Sequence, residues 1–219
     1  TSLAQLGTRV RAWYDVYFEV SALRDQTFPN GTPNYRMIDQ NRTLIIYLDS
    51  FDTATVDNPE GADSDRFMRE TLTDAFSKYS NIQNIVVDLS NNTGGNLGAL
   101  LRVLGYITDE PLEMSFKNPL DGSNVTYFAD VDRVAYSQQN WYIMTSKVTF
   151  SAANLMTAIA QHMGIATIIG TTSGGGASSI TPMVLPDGSF FIMSSLNVLS
   201  LRSGTMEQGY TYQSIEYGI

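Results

Sequence analysis

The sequence predicts a mixed α/β domain. Two observations carry that expectation: a strand–loop–helix pattern from Asn84 to Ile107, and a strand–helix–strand pattern from Trp141 to Ile169. A third is the pair of hairpin patterns around them, since alternating strands and helices flanked by hairpins build layered α/β domains. The chain has 219 residues, enough for one domain with a proper core.

The elements follow in order. Arg11 to Val20 (RAWYDVYFEV) is aromatic and β-branched and reads as a strand, so residues 1–42 are expected to be an N-terminal β segment leading into a core at 43–219. Phe28 to Pro33 (FPNGTP) reads as a turn. Thr43 to Leu48 is a short apolar run of buried-strand type, and an acidic loop follows from Asp49 to Asp65. Asp63 or Ser64 can cap a helix running to about Tyr79, because Phe67, Met68, Leu72, Ala75, Phe76 and Tyr79 recur at helical spacing. Asn84 to Leu89 is a buried strand that ends in a Gly-Gly loop, and Leu97 to Ile107 is the helix after it. Met114 to Phe128 is a hairpin around Asp121-Gly122. Trp141 to Thr145 is a strand, Ser151 to His162 a helix stopped by Gly164, and Ile165 to Ile169 a strand. Gly170 to Ser179 is a glycine-rich loop. Met183 to Ser195 is a hairpin turning at Pro186-Asp187-Gly188, and Asn197 to Leu201 adds a further strand.

Composition removes several functions. Lys plus Arg is 13 and Asp plus Glu is 22, a net charge of −9, which repels phosphate backbones and argues against a nucleic-acid partner. The absence of Cys excludes a thiol nucleophile and a thiolate metal site, and a single histidine, His162, excludes a multi-histidine zinc site. The only lysines are Lys78, Lys117 and Lys147, so candidate bases are few. The acidic loop lacks the spacing of a calcium-binding loop and reads as solvated. Neither a cofactor nor a metal is expected. No apolar run is long enough to span a membrane. No feature of the sequence specifies an oligomeric state.

Three segments can carry chemistry. In Asn84 to Asn96 (NIVVDLSNNTGGN), a strand opens through Gly94-Gly95 onto a helix, so backbone N–H groups can meet an oxyanion; the plainer reading is a tight turn needing positive φ. The loop has neither the lysine of a phosphate-binding loop nor a complete GxGxxG. In Thr145 to Gly164, Ser151 opens an Ala-rich helix, either as a nucleophile with room beside Ala152 and Ala153 or simply as an N-cap. No GxSxG is present. In Gly170 to Ser179, Gly174, Gly175 and Gly176 either form a flexible loop or let backbone approach a ligand closely.

Taken in order, Asp88-Leu89-Ser90-Asn91-Asn92-Thr93-Gly94-Gly95, Thr149-Phe150-Ser151-Ala152-Ala153-Asn154 and Gly170-Thr171-Thr172-Ser173-Gly174-Gly175 resemble motifs of the C-terminal processing (tail-specific) peptidase family, which includes the tricorn core peptidase. Thr43 to Phe51 looks like the family's early strand, and Ile215 to Ile219 like its late Glu-x-Gly-Ile segment. The resemblance implies a serine peptidase with a crotonase/ClpP-like spiral core of ββα units and flanking hairpins. Ser151 would be the nucleophile, the N–H groups of Ala152 and of Gly94 or Gly95 the oxyanion hole, and Gly174 to Gly176 a substrate loop. A peptide or protein would be the substrate, paired along a strand edge.

The departures from the pattern are specific. The lysine that one branch of the family uses as base is Gly176 here. Lys147 would need a chain reversal to reach Ser151, and Lys78 and Lys117 match nothing. The other branch takes a His from an N-terminal segment and a late Glu. His162 lies about 16 Å along the helix from Ser151 and suits a helix C-terminus. Glu216, rather than Glu207, fits the late Glu by its context, or else is a surface carboxylate. Asn154 stands where Glu is commoner. The expectation is a peptidase core truncated at both ends, its base supplied from outside the chain, of exported bacterial type by resemblance. The alternatives are a catalytically inactive peptide-binding homologue and, more remotely, a crotonase-like acyl-CoA enzyme.

Overall fold

The computed structural model describes residues 11, 14–15, 17–23, 26, 35–131, 136–216 and 218–219. Two five-stranded sheets share one core. The first contains β1 (Tyr35–Ile38), β2 (Thr43–Tyr47), β3 (Asn84–Asp88), β6 (Asn140–Thr145) and β7 (Thr167–Gly170), in the order β1-β2-β3-β6-β7. β2, β3, β6 and β7 are parallel neighbours, and β1 runs antiparallel on the edge. The second has the order β10-β9-β4-β5, with β8 also on β9; these are β4 (Leu112–Lys117), β5 (Asn124–Ala129), β8 (Ser178–Val184), β9 (Phe190–Thr205) and β10 (Gly209–Ser214).

Three helices fill the crossovers: α1 (Ser64–Lys78), α2 (Leu97–Leu104) and α3 (Ala152–Met163). The parallel register sets Leu44 beside Ile85 and Trp141, and Ile46 beside Val87 and Ile143, so one face of the sheet is a continuous apolar layer. Met68 and Leu72 of α1, Leu100 and Leu104 of α2 and Met156 of α3 are fully buried in that core. α3 also packs on β4 and β9, which joins the two sheets.

Three expectations need correction. Arg11 to Val20 is no strand: Arg11, Tyr14, Asp15 and Tyr17 to Leu23 are helical, and the Tyr14 and Phe18 rings stack at 6.0 Å, an i, i+4 contact that a strand cannot make. Aromatic content favours strands only where a sheet surface receives it. The Phe28 to Pro33 turn lies outside the described residues. α2 stops at Leu104, and the chain continues to Ile107 as single turns, with Tyr106 N–H bonded to Val103 O and Ile107 N–H to Leu104 O. Asn197 to Leu201 is the continuation of β9, without a break after the hairpin. β1 falls within the expected N-terminal β segment but outside the run that suggested it, and β10 carries no strong sequence pattern. Among the described residues, no helix is long and apolar enough to cross a membrane.

Asp63 caps α1: its carboxylate accepts the N–H of Arg66 at 2.9 Å and that of Ala54 at 3.1 Å. These bonds, that from Arg66 first, hold the carboxyl below its ordinary range. A group whose folded pKa is depressed stabilises the fold above its unfolded pKa and loses that contribution as pH falls through the folded value. Asp63→Ala is expected to cost about 1 kcal/mol in urea unfolding at pH 7. The gap from wild type should narrow as pH drops below about 4.

Candidate active site

The carboxyl ends of the parallel strands all face one edge, the position where open α/β sheets place ligand sites. From that edge rise the Ser90–Asn96 loop after β3, the Ser146–Ser151 turn after β6 and the Thr171–Ala177 loop after β7. Ser151 stands at the head of α3 with φ 53° and ψ −121°. An L-residue other than Gly or Asn rarely adopts such a backbone, and holding it costs on the order of 1–3 kcal/mol. Its side chain makes no capping bond, so Ser151 is not behaving as an N-cap.

The strain is held from both sides. Phe150 N–H donates to Asn92 O at 3.1 Å, and Ser151 N–H donates to Gly175 O at 2.9 Å. Gly174 N–H donates to Thr149 O at 2.7 Å, and Phe150 forms a parallel bridge with Gly175. Thr149 is buried, and its hydroxyl donates to Leu89 O at 2.8 Å. The turn is therefore tied to the loop after β3 on one side and to the glycine loop on the other.

Gly94 lies against this turn, and Gly95 beside it lies against the backbone of Phe51. At Gly94 a Cβ would fall 2.7 Å from Ser151 Cβ and 3.0 Å from Ala152 N, so only glycine allows the approach. The Gly94 N–H, however, donates to Asn92 Oδ1 at 2.8 Å. That bond occupies the Gly94 N–H, one of the two alternatives, Gly94 or Gly95, expected as an oxyanion donor. The N–H groups of Gly95 and of Ala152 donate to no acceptor among the described residues, and both stay available.

Two buried asparagines hold the loops, and sequence reading did not single them out as structural ties. Asn92 Nδ2 donates to Leu48 O at 2.9 Å while its Oδ1 accepts from Gly94. Asn154 Nδ2 donates to Ile215 O at 3.0 Å and to Gly176 O at 3.2 Å, and its Oδ1 accepts from the Ser173 hydroxyl at 2.6 Å. The amide thus fastens α3 to the glycine loop and to the C-terminal segment. The available signal was polar residues beside apolar runs, which looks the same as ordinary turn chemistry.

Glu216 is brought to the glycine loop. Its carboxylate accepts Ala177 N–H at 2.9 Å and its backbone O accepts Gly176 N–H at 2.9 Å. Gly176 has φ 81°, and a Cβ there would lie 2.8 Å from the Phe150 ring, so that ring fills the space a side chain at 176 would need. Lys147 is exposed. His162 sits in the last turn of α3 and faces Glu113 at 4.0 Å, away from Ser151. Among the described residues no three His, Asp or Glu side chains group to hold a metal. A cavity of about 330 Å³ lies beyond Phe51 at the end of β2, lined by Ser50, Asp52, Ser64 and Arg66, and does not include Ser151.

An uncapped serine at a helix head, set against a loop with free N–H groups, is an arrangement of serine-type hydrolases. The model of peptidase family S41 matches residues 42–213, and the chain belongs to that family. The solved structures it resembles include a candidate peptidase from Parabacteroides merdae (TM-score 0.64, 17% identity, 90% of this chain and 60% of that one). Another is a photosystem II D1 C-terminal processing protease (TM-score 0.60, 18% identity, 82% and 41%). A lipoprotein from Streptococcus agalactiae is a third (TM-score 0.58, 18% identity, 90% and 66%). At these identities the likeness establishes the fold. The chain spans 60% and 41% of the length of the first two. Comparison with curated proteins finds no match.

Asn92→Ala leaves Leu48 O and Gly94 N–H unpaired in a dry site. It is expected to lower unfolding free energy by about 2–4 kcal/mol in a urea titration, well above the effect of a surface Asn→Ala change.

Proposed function

We propose that this chain is the core of a serine peptidase, formed by residues 43–219, that cleaves extended polypeptides through an acyl-enzyme at Ser151. The observation that carries the reading is the strained, uncapped Ser151 packed against Gly94, with the N–H groups of Ala152 and Gly95 donating to no acceptor among the described residues. Ser151 Oγ attacks the peptide carbonyl carbon, and its proton passes to a base. The carbonyl oxygen becomes an oxyanion that Ala152 and Gly95 N–H stabilise at the positive end of α3. Collapse of the intermediate breaks the C–N bond, and the base returns the proton to the leaving amine. Water then hydrolyses the ester by the same route in reverse.

The base, a histidine in this reading, comes from a segment outside this chain, since the only histidine faces Glu113. Glu216 acts by fixing the Gly174–Gly176 loop, along which an extended substrate can pair. An exported bacterial protein fits the resemblance and the lipoprotein likeness. The second reading, an inactive peptide-binding homologue, is favoured by the Phe150 ring over Gly176, which leaves no side chain to act as base from that loop.

A fluorophosphonate probe should label the complete protein once per chain, and Ser151→Ala should abolish labelling with the fold retained by circular dichroism. Labelling that persists in Ser151→Ala sinks the assignment of the nucleophile. A wild type that binds peptide, takes no label and turns nothing over favours the inactive homologue.

A further inference from the structure

The β8–β9 hairpin buries little of what its sequence would lead it to bury. Cross-strand pairs set Val184 opposite Phe190 and Pro182 opposite Ile192, with Ile180 next along the same face. Apart from Ser194, opposite Ile180, that face is apolar, yet it is open: Ile180 is 69% exposed, Val184 74%, Phe190 70% and Ile192 58%. The opposite face, with Met183, Phe191 and Met193, is about half covered. An antiparallel ribbon with one solvated face should carry polar residues there. Between Ser178 and Leu201 the only charged residue is Asp187, at the turn. In a chain of net charge −9 this is a pronounced local absence of charge, and depletion of charge with enrichment in Phe and Met marks the centre of a protein interface.

We propose that this face is a dimerisation surface on which a second copy of the chain packs about a two-fold axis. Area supports that occupant. The four open side chains present on the order of 500 Å² per chain, so a symmetric pair buries about 1,000 Å², the lower bound for a specific interface. Charge supports it too. Two identical acidic chains repel each other except where neither carries charge, and a two-fold axis through this ribbon apposes its uncharged faces. At β8 the ribbon is built against edge-to-edge pairing. Leu185 N–H donates to Ser189 O at 2.8 Å, so the bonded pairs along the ladder are Leu185–Ser189, Met183–Phe191 and Thr181–Met193. Pro182 falls between them and turns its nitrogen to the free edge, which removes a donor that strand addition at β8 would use.

The test is the mass of the chain in solution by sedimentation equilibrium at about 1–100 µM, a span covering the usual range for an interface of this size. Wild type is expected to rise toward twice 24.2 kDa with concentration. The double variant Phe190→Asp with Ile192→Asp is expected to stay at one chain mass with an unchanged far-ultraviolet dichroism spectrum. Because the chain has no cysteine, Val184→Cys should also form a disulfide-linked dimer on mild oxidation, while Val56→Cys on the acidic loop should not. One chain mass at every concentration assigns the face to a different protein or to another part of a longer chain, and overturns the proposal. Equal cross-linking from both cysteine positions overturns it as well.

Discussion

Asn92 joins three parts of the chain at one buried point. Its amide nitrogen bonds to Leu48 O at the end of β2, its amide oxygen to Gly94 N–H, and its backbone oxygen to Phe150 N–H. A buried amide left unpaired is costly, so these bonds persist together or fail together. Once they are made, the Gly94–Gly95 loop and the serine turn cannot drift apart. Gly175 closes the other side through Ser151 N–H, and Asn154 fastens the glycine loop to α3. The backbone of Ser151 is therefore over-determined by neighbours that do not react.

That arrangement exchanges stability for an uncapped hydroxyl. A serine free to relax would fold its side chain back onto the helix N-terminus and satisfy an N–H there. Held at positive φ it makes no such bond, and the N–H groups of Ala152 and Gly95 donate to no acceptor among the described residues. Strain of this kind survives only where the surroundings impose it, and the Asn92 bond and the Gly175 bridge are those surroundings. The same clamp explains the glycines. Gly94 touches Ser151 and Gly176 touches the Phe150 ring, so any side chain at either would push the turn out of place.

What could be read in the sequence was local. β2, β3 and α3 follow from apolar runs and from Gly164, which adopts the left-handed conformation that ends α3. α1 follows from Asp63 and the spacing of its apolar residues. The N-terminal segment misled because aromatic residues favour strands only on a receiving surface, and here Tyr14 and Phe18 pair along a helix. The three motif loops were legible as motifs, but their internal bonding was not. Nothing local says that Asn92 reaches Leu48 O, that Glu216 binds Ala177, or that Ser151 has positive φ. Those facts depend on contacts between residues far apart in the chain, such as Asn92 with Leu48, which only the assembled sheet creates.

The central claim is that Ser151 is held strained by its neighbours and is not capping a helix. The most direct measurement is the unfolding free energy of Ser151→Gly against wild type in urea. Glycine accepts positive φ without penalty, so strain predicts that Ser151→Gly is the more stable protein, by about 1 kcal/mol. A capping serine predicts the reverse, because Ser→Gly at an N-cap costs a few tenths of a kcal/mol. A glycine variant less stable than wild type would contradict the account.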